Sequence, residues 1–553
     1  MSRVKKLTQI FIKKGPLGTV KAFGEYGRKI KRNREFCNIA RQIHLISPDE
    51  RAKQIQTKFA HPVKFSIITP LYNTPKEYLI ELLESMNRQT YSNWELCLAD
   101  GSDEEHKYVK EICEEWIQKD SRIIYEQLEE NRGISENTNR CIQLATGEYY
   151  GLLDHDDVLH ESALYEMMKT IEETSADFLY SDEVKFSNKI EDAKDFNFKS
   201  SFGKDELRSH NYICHFTVFS KALLKNEKEL YRPSYDGSQD HDMVLRLTEK
   251  AKRIIHVPKV LYYWRVHPQS VSMNLDSKSY AVDAAIRAIG EQLKRSGENG
   301  VVKSNLPYRT IYRIKYDVQG NPKIIILIHG CYDSKNKVAN TIKNNTEYLN
   351  YKIVFTDKKI KNFGKKINQA IQNNSADYYI LLDGKCVPKN RTWIKELLMY
   401  AQRKDVCAVS PKIIYENDTI CFAGMALDKH GMKIKRVAWK KDNKEQGYEA
   451  MLRYVRNITA VWRGCCMFSY NSWKTLHGFA ENMSGYEEID FSLKGSQKKM
   501  WNVWTCFSEL TYTQNEEIEN EGMDIEAFVE KWDRHIAEGD KYYHPYLEKL
   551  GLL

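Results

Sequence analysis

The feature that most constrains how this chain folds is an internal repeat. Nine residues between Asn139 and Val158 recur in the same order 229 positions later. They are Asn139, Ile142, Gln143, Tyr149, Tyr150, Leu152, Leu153, Asp154 and Val158, which return as Asn368, Ile371, Gln372, Tyr378, Tyr379, Leu381, Leu382, Asp383 and Val387. Generic helix and strand patterning does not give so many identities in one register, so the repeat predicts two copies of one fold.

The first copy alternates strand-like and helix-like stretches. From Val63 onward, KFSIITP, WELCLAD, RIIYEQL and YYGLL are short apolar runs, and amphipathic stretches with helical spacing separate them. This alternation predicts an α/β fold in which helices cover both faces of a parallel sheet. The run KIIILIHG at 323–330 restarts the same series.

Length and turn residues divide the chain into segments. A chain of 553 residues is too long for a single hydrophobic core, and Gly320-Asn321-Pro322 marks a turn just before the second series. YRTIYRIKY, at 308–316, has the alternation of an edge strand. We therefore predict a basic helical segment at 1–60, a first domain at 61–300, a linker at 301–322 and a second, degenerate domain at 323–553.

Positive charge is concentrated at the N-terminus. Residues 1–35 contain eleven Lys or Arg and two acidic residues, whereas the whole chain has a net charge of +8. The apolar residues of MSRVKKLTQIFIKK fall at helical spacing with lysines between them, which is typical of a helix on an anionic membrane surface. A solvated basic helix packed on its own domain has the same pattern, so both interpretations stay open. No nucleic-acid-binding module accompanies the basic stretch, so we expect no nucleic acid partner.

Membrane-spanning and secretory segments are not evident in the sequence. The longest aliphatic run, Ile324 to Ile328, is far shorter than the ~20 residues that span a bilayer, and the N-terminus lacks a secretory apolar core. The twelve cysteines are scattered without a CxxC pair, which favours reduced, structural thiols. We expect a cytoplasmic protein, either free or held peripherally on the inner face of the cell membrane.

Three aspartates follow a predicted strand in the segment YGLLDHDDVLHES. Asp154, Asp156 and Asp157 come directly after YYGLL, at the strand end where open α/β sheets bind ligands. Carboxylates this close repel one another unless a cation lies between them, so they indicate a site for a hard divalent ion. The alternative is a helix start whose acidic residues complement the helix dipole.

Other polar stretches follow the neighbouring strands. TPLYN, LADGSD, ENRGISENTN and YSDE all come at predicted strand ends, where they would meet at one edge of the sheet. Each of them alone is an ordinary turn sequence. Their convergence on one edge is what favours a binding site.

Three longer motifs resemble one known family. YSDE, DGSQDHDMVLR and LYYWRVHPQSVS are similar to the motif set of family-2 glycosyltransferases, and the resemblance extends from about Val63 to Met273. The second half resembles the same family more loosely, through FAGMALDKHG, GYEEIDFSLK and GDKYYHP. The resemblance implies two tandem Rossmann-like domains of the GT-A fold, which bind a nucleotide-diphosphate sugar and transfer the sugar with inversion. Similar tandem chains build bacterial surface polysaccharides, including rhamnose-containing ones.

The resemblance assigns a metal site and a catalytic base. It implies that Asp154, Asp156 and His267 hold Mn²⁺ or Mg²⁺, which stabilises the charge that builds on the leaving nucleoside diphosphate. It also implies that Asp240 is the catalytic base. A sugar hydroxyl is too weak an acid to ionise beforehand, so a carboxylate must accept its proton as the new bond forms.

The resemblance further implies a set of donor-binding residues. They are Pro70, Tyr72, Asn73, Asp100, Asn131, Asp154, Asp182 and Arg246. The helical spacing of Asp242 and Arg246 also favours a role in holding their segment in place. This chain departs from the family at Ala99-Asp100-Gly101, which has one aspartate where relatives often have two, and at Val184, which replaces an acidic residue.

The second copy has lost part of the predicted site. Lys385 stands at the position of Asp156, whereas Glu488 stands at the position of Asp240. One hypothesis is that this half is a pseudo-enzyme that holds acceptor or polymer, because the metal ligands are missing. The other is that the Lys385 ammonium replaces the cation, which would make the chain a bifunctional transferase with a metal-independent second site.

These observations predict a metal-dependent inverting glycosyltransferase. Its partners would be a nucleotide-diphosphate sugar donor and a glycan or lipid-linked glycan acceptor, with transfer to a hydroxyl of a growing bacterial surface glycan. A nucleotidyltransferase is less consistent with the sequence, because no glycine-rich GxGxR loop follows KFSIITP. A non-catalytic glycan-binding scaffold would not require Asp156, Asp240 and His267 together.

Overall fold

The structure is a computed structural model that describes residues 38–267, 279–427, 434–514 and 525–549. The predicted basic helix in residues 1–35 lies outside the described residues, and so does the end of the LYYWRVHPQSVS motif. Within the described ranges, no helix is both long enough and apolar enough to cross a bilayer.

The first half is built on a nine-stranded sheet with helices on both faces. Its strands are β1 (Phe65–Leu71), β2 (Trp94–Asp100), β3 (Ile123–Gln127), β4 (Tyr149–Leu152), β5 (Val158–Leu159), β6 (Phe178–Phe186), β7 (Asp195–Asn197), β8 (Thr217–Ser220) and β9 (Ile254–Arg265). The helices are α1 (Pro48–Gln56), α2 (Lys76–Asn87), α3 (Tyr108–Lys119), α4 (Ile134–Leu144), α5 (Ala163–Thr174), α6 (Lys204–Ser209), α7 (Gln239–Lys250) and α8 (Ser279–Arg295). The strand order is β3-β2-β1-β4-β8-β6-β9-β5, with β7 attached to β6.

The directions of these strands correct one expectation. Strands β1 to β4 are parallel to one another, as the alternation of strands and helices predicts. Strand β8 runs antiparallel to β4 on one side and to β6 on the other. The sheet is therefore mixed rather than purely parallel.

The predicted linker is mostly a β-hairpin. Strands β10 (Gly300–Asn305) and β11 (Tyr308–Tyr316) pair with each other and with no strand of the two large sheets. The hydroxyl of Tyr316 accepts a hydrogen bond of 2.8 Å from Arg208 of α6, which ties the hairpin to the first half. Residues 308–316 are thus not an edge strand of the main sheet, and only 317–323 are irregular.

The second half contains another nine-stranded sheet. Its strands are β12 (Ile324–His329), β13 (Tyr351–Phe355), β14 (Tyr378–Asp383), β15 (Cys386–Pro388), β16 (Val406–Tyr415), β17 (Ile420–Phe422), β20 (Arg456–Asn457), β21 (Cys465–Ser469) and β22 (Trp501–Tyr512). Strands β18 (Met425–Leu427) and β19 (Ile434–Arg436) form a separate hairpin. The helices are α9 (Lys335–Asn344), α10 (Phe363–Gln372), α11 (Trp393–Ala401), α12 (Tyr470–Thr475), α13 (Glu487–Gln497), α14 (Ile525–Glu538) and α15 (Pro545–Lys549).

The two large sheets have the same order. The second reads β13-β12-β14-β21-β16-β22-β15, which matches the first from β2 to β5 strand by strand. Directions agree as well, because β21 runs antiparallel to β14 and β16, as β8 does to β4 and β6. Among the described residues the second sheet has no equivalent of the edge strand β3. The repeat therefore reflects two copies of one fold, as the sequence predicts.

The two halves meet through buried and half-buried polar contacts. Asp205 of α6 forms an ion pair with Arg403 and accepts a hydrogen bond of 3.0 Å from the side chain of Asn457. The ammonium of Lys204 lies 2.8 Å from a carboxylate oxygen of Asp405. Because buried charges are costly without partners, these contacts fix how the halves sit together.

Candidate active site

The candidate site is a cleft of about 430 Å³ at the carboxyl ends of β1 and β4. Loops that follow these strands line it, together with the residues before β8 and the first turn of α7. The lining includes Pro70, Ile134, Asp154, His155, Asp156, Asp157, Cys214, His215, Gln239, Asp240, Tyr262, Trp264 and Tyr280. The predicted base and the predicted aspartate cluster therefore lie in one cleft, although about 85 residues separate them in the sequence.

Asp156 and His267 come together as the motifs predict. The Nε2 atom of His267 lies 2.9 Å from Oδ2 of Asp156. The guanidinium of Arg265 holds the backbone at Asp156, because its Nε donates a hydrogen bond of 2.7 Å to the carbonyl oxygen of Asp156. A carboxylate oxygen and an imidazole nitrogen side by side are suitable ligands for a divalent cation.

Asp154 is the most open of the three aspartates. Half of its side chain is exposed to solvent, and its Oδ2 lies 3.4 Å from Nε2 of His215. Two groups of described side chains have ligand atoms close enough to share one ion. They are Asp154 with Asp157 and His215, and Glu183 with Cys214 and His215. Both groups contain His215, which the sequence motifs do not single out.

Asp157 is held by residues of β9. It is buried, and its carboxylate accepts hydrogen bonds of 2.6 Å from the hydroxyl of Tyr262 and from the backbone N–H of Arg265. Burial, followed by the charges of the two neighbouring aspartates, raises its pKa well above the usual range. Asp157 therefore fixes β9 against the loop between β4 and β5.

Asp240 lies in the first turn of α7 and lines the cleft. Its Oδ2 accepts a hydrogen bond of 2.8 Å from the side-chain amide of Asn211, and its Oδ1 accepts one of 2.8 Å from the N–H of His241. No cation is paired with it among the contacts of the described residues. A carboxylate that is held in place by two hydrogen bonds and faces a cleft is in a position to accept a proton from a bound hydroxyl.

Asp242 and Arg246 hold α7 in place. Asp242 is fully buried and forms ion pairs with Arg232 and with Arg246, whose Nε lies 2.9 Å away. Arg246 also pairs with Glu227. These ion pairs agree with the role that the helical spacing of Asp242 and Arg246 indicates. The inclusion of Arg246 among the donor-binding residues is corrected, because its guanidinium does not line the cleft.

The remaining donor-binding candidates lie at the ends of β1, β2 and β3. Tyr72 is 46% exposed, and Asn73 is tied to the next loop by a hydrogen bond of 2.8 Å from its side-chain amide to Asp103. Asp100 is buried and accepts hydrogen bonds from Tyr125 OH, at 2.8 Å, and from Ser102 N–H, at 2.9 Å.

Gly101 brings the second and third of these loops together. A Cβ atom at Gly101 would lie 3.0 Å from Cα of Asn131, so the absence of a side chain allows this approach. Asn131 in turn accepts a hydrogen bond of 2.9 Å from the side chain of Asn137. The predicted residues thus share one sheet edge, and Pro70 and Asp154 are those that line the cleft itself.

Asp182 is not where the motif places it. It is fully buried, and its carboxylate lies 2.8 Å from Nε2 of His256 and 2.9 Å from Nε2 of His544. Burial acts to raise its pKa, but the two histidines outweigh burial and hold the pKa well below the usual range. Asp182 therefore joins the first half to the end of the second and does not reach a donor in the cleft. Its neighbour Glu183 faces the cleft histidine His215 instead.

Glu488, which stands at the position of Asp240 in the second copy, is not open to solvent. Glu488 is buried, and both of its carboxylate oxygens lie 3.0 Å from Nε of Arg463. Arg463 also pairs with Glu487 at 2.8 Å. Lys385 lies in the loop after β14, where its backbone N–H donates a hydrogen bond of 2.9 Å to the carboxylate of Asp383.

Comparison with known proteins agrees with the motifs. Residues 66–228 match the model of the family described as "Glycosyl transferase family 2", which confirms the resemblance over this part of the chain. The family match includes Asp154, Asp156 and Asp182 and ends before Asp240 and His267.

Longer relatives match both halves. The "Uncharacterized protein y4gI" of Sinorhizobium fredii is 27% identical over 543 residues, which cover 90% of this chain and 59% of that protein. The "O-antigen biosynthesis protein RfbC" of Myxococcus xanthus is 24% identical over 532 residues, covering 90% of this chain and 41% of that protein. The chain thus spans about half the length of the curated relatives it matches.

Among solved structures, S. aureus TarS 1-349 in complex with UDP is 21% identical. It covers 42% of this chain and 65% of its own, with a TM-score of only 0.33.

Proposed function

We propose that the first half is an inverting glycosyltransferase that moves a sugar from a nucleotide-diphosphate donor to a hydroxyl of a growing surface glycan. The observation that carries this proposal is the cleft that holds both the aspartate cluster and Asp240 in a chain whose residues 66–228 match the model of glycosyl transferase family 2. The name of the M. xanthus relative, an O-antigen biosynthesis protein, supports a glycan of the bacterial surface as the acceptor.

Asp240 is the base in this proposal. Inversion needs the acceptor oxygen to attack from the side opposite the leaving diphosphate, and its proton must leave as the bond forms. Asp240 is suitable because Asn211 holds one carboxylate oxygen at 2.8 Å and no cation neutralises the group among the described contacts. A positioned general base contributes about 10²–10⁴-fold to such a step.

A divalent cation would be held by Asp154, Asp156 and His267. Asp156 and His267 present an oxygen and a nitrogen 2.9 Å apart, a pair that suits Mn²⁺ or Mg²⁺. Asp154 is half exposed and lines the cleft with Asp156. Among the described residues, the carboxylate of Asp154 lies at ligand distance from Asp157 and His215 rather than from Asp156 and His267, so a bound cation would have to draw the three predicted ligands together. When bound, the cation would neutralise the charge that builds on the departing nucleoside diphosphate.

We further propose that the second half, residues 323–553, does not catalyse transfer. Its counterpart of the base, Glu488, is buried and paired with Arg463, and Lys385 replaces a metal ligand. A carboxylate in a buried ion pair gives up its partner only at a cost of several kcal/mol. This favours a domain that holds acceptor or polymer over a metal-independent second transferase.

The proposal is tested by mixing purified protein, Mn²⁺ or Mg²⁺ and a panel of UDP-, GDP- and dTDP-sugars. Donors that bind should raise the melting temperature, since a ligand of the native state stabilises it. With acceptor present, we expect release of nucleoside diphosphate, and Asp240→Asn should lower this release by about 10²-fold or more while leaving the thermal shift unchanged. Absence of release with every donor and acceptor would overturn the proposal.

A further inference from the structure

One histidine of the cleft, His215, bridges two carboxylates. It lies two residues before β8, with its Nδ1 atom 3.3 Å from Oε2 of Glu183 and its Nε2 atom 3.4 Å from Oδ2 of Asp154. Glu183 is fully buried, whereas Asp154 is half exposed. The imidazole therefore joins a buried acid to an acid that opens into the cleft.

The position of this imidazole is fixed by its surroundings. Its ring stacks on Tyr262, with 5.0 Å between ring centroids and an interplanar angle of 11°, and a tilted Trp264 ring lies 5.0 Å away. Glu183 is held in turn by Lys199, at 3.0 Å, and by the side-chain amide of Asn197, at 2.9 Å. A ring clamped in this way presents Nε2 to the cleft in one orientation.

This arrangement places a carboxylate where a metal-binding histidine needs one, 3.3 Å from Nδ1 of His215. A ligating imidazole usually donates its other ring N–H to a carboxylate, which sets the tautomer and the ring orientation. Neighbouring ligands of one octahedral ion with bonds of ~2.1 Å lie ~3 Å apart, close to the 3.4 Å between Nε2 of His215 and Oδ2 of Asp154. We infer that His215 binds the divalent cation together with Asp154, and that Glu183 orients His215. This inference rests on the proposed function.

The second copy provides an internal comparison. Strand β14 pairs Tyr379 with Phe468 as β4 pairs Tyr150 with Phe219, so Gly464 stands at the position of His215. Pairing along β16 and β22 places Ile413 and Leu510 at the positions of Glu183 and Tyr262. The copy that has Lys385 in place of Asp156 has thus lost the histidine, its carboxylate and its stacking partner together.

The inference also bears on which ion the site prefers. Carboxylate oxygens alone suit Mg²⁺, whereas an imidazole ligand raises affinity for transition metals. Two histidines, His215 and His267, would therefore make the site prefer Mn²⁺ to Mg²⁺. Replacing His215 should weaken Mn²⁺ binding more than Mg²⁺ binding.

Binding of Mn²⁺ to the full chain tests this directly. The electron paramagnetic resonance signal of free Mn²⁺ gives the Kd, measured with and without UDP or GDP and with Mg²⁺ as competitor. We expect His215→Gln to raise the Kd at least 10-fold and Glu183→Gln to raise it about 10-fold. The matched control is His329→Gln, because His329 is also buried and lies at the end of β12 in the second copy, against the carbonyl of Arg463. This control should leave the Kd unchanged.

Electron spin echo measurements separate the two histidines. With His267→Gln, bound Mn²⁺ should still show ¹⁴N modulation from one imidazole if His215 is a ligand. Bound Mn²⁺ without such modulation in His267→Gln, or an unchanged Kd in folded His215→Gln, would overturn the inference. If His215→Gln does not fold, the His267→Gln spectrum decides alone. If the wild-type protein binds neither Mn²⁺ nor Mg²⁺ even with nucleotide, this inference and the metal dependence of the proposed function fail together. Sugar transfer itself is then tested separately, by the release of nucleoside diphosphate without added metal.

Discussion

At the scale of single residues, the partners of a carboxylate decide its role. Asp240 and Glu488 occupy equivalent positions on α7 and α13, but Asp240 is held by neutral donors whereas Glu488 is paired with Arg463. The acidic residue two positions later, Asp242 or Asp490, is buried and ion-paired in both copies. The carboxylate at this second position is therefore ion-paired in both halves, whereas the carboxylate that we propose as the base has a cationic partner only in the second half, among the described contacts.

Glu95 illustrates a buried carboxylate whose charge contributes to stability. It is nearly fully buried on β2 and accepts hydrogen bonds from Ser66 at 2.6 Å and from the Thr146 hydroxyl at 2.8 Å, with Lys64 as its ion-pair partner. Burial acts to raise its pKa, but these partners outweigh burial and lower the pKa to about 2. Its stabilising contribution is complete above the unfolded pKa of about 4.5 and is lost as the pH falls toward 2.

This predicts how the stability of Glu95→Gln compares with that of the wild type. At pH 6 the variant should unfold at a lower urea concentration, because glutamine cannot pair with Lys64 as a carboxylate does. At pH 3.5 the difference in unfolding free energy should be smaller by ~1 kcal/mol, because the wild type has lost part of the contribution. A difference that is equal at the two pH values would contradict the assigned pKa.

Part of the site could be predicted residue by residue from the sequence. Asp156, Asp240 and His267 stand in recognisable motifs, and the structure brings Asp156 and His267 together. His215 could not be identified in this way, because it stands beside an apolar strand and in none of the motifs. Glu183 stands in the motif YSDE, but its proximity to His215 depends on the pairing of β8 with β6. The position of Asp182 could not be predicted from the sequence, because its partner His544 lies more than 360 positions later.

At the scale of elements, the alternating pattern predicted the strands well and their directions less well. The four predicted strands of the first copy appear as β1 to β4, because each is an apolar run bounded by turns. The antiparallel direction of β8 and the pairing of β10 with β11 depend on which neighbours a strand finds, and a short apolar run carries no sign of this. The repeat nevertheless predicted correctly that both halves share one arrangement.

Two helical glycines give a prediction at this scale. A Cβ atom at Gly364, in α10, would lie 1.9 Å from the carbonyl oxygen of Ala480, whereas a Cβ at Gly290, in α8, would meet nothing within 4 Å. Gly364→Ala should therefore destabilise the protein by about 1–3 kcal/mol through overpacking. Gly290→Ala should stabilise it by up to about 1 kcal/mol, because alanine favours the helix. Thermal unfolding of both variants checks this, and equal shifts of the melting temperature would contradict the packing of α10.

At the scale of the whole molecule, the second half contributes structure to the first. His544, in the segment before α15, contacts Asp182 on β6, and the adjacent Glu183 contacts His215 at the cleft. The hydroxyl of Tyr448 donates a hydrogen bond of 2.6 Å to the carbonyl of Phe196 on β7, which is paired with β6. The strand that carries Glu183 is thus held from the second half as well as from its own sheet.

The central claim is a division of labour in which the first half catalyses and the second does not. Release of nucleoside diphosphate from the preferred donor, measured for wild type, Asp156→Asn and Glu488→Gln under identical conditions, tests it most directly. We predict that Asp156→Asn abolishes release and that Glu488→Gln retains the wild-type rate. Retained turnover in Asp156→Asn, or loss of turnover in a folded Glu488→Gln, would contradict the account.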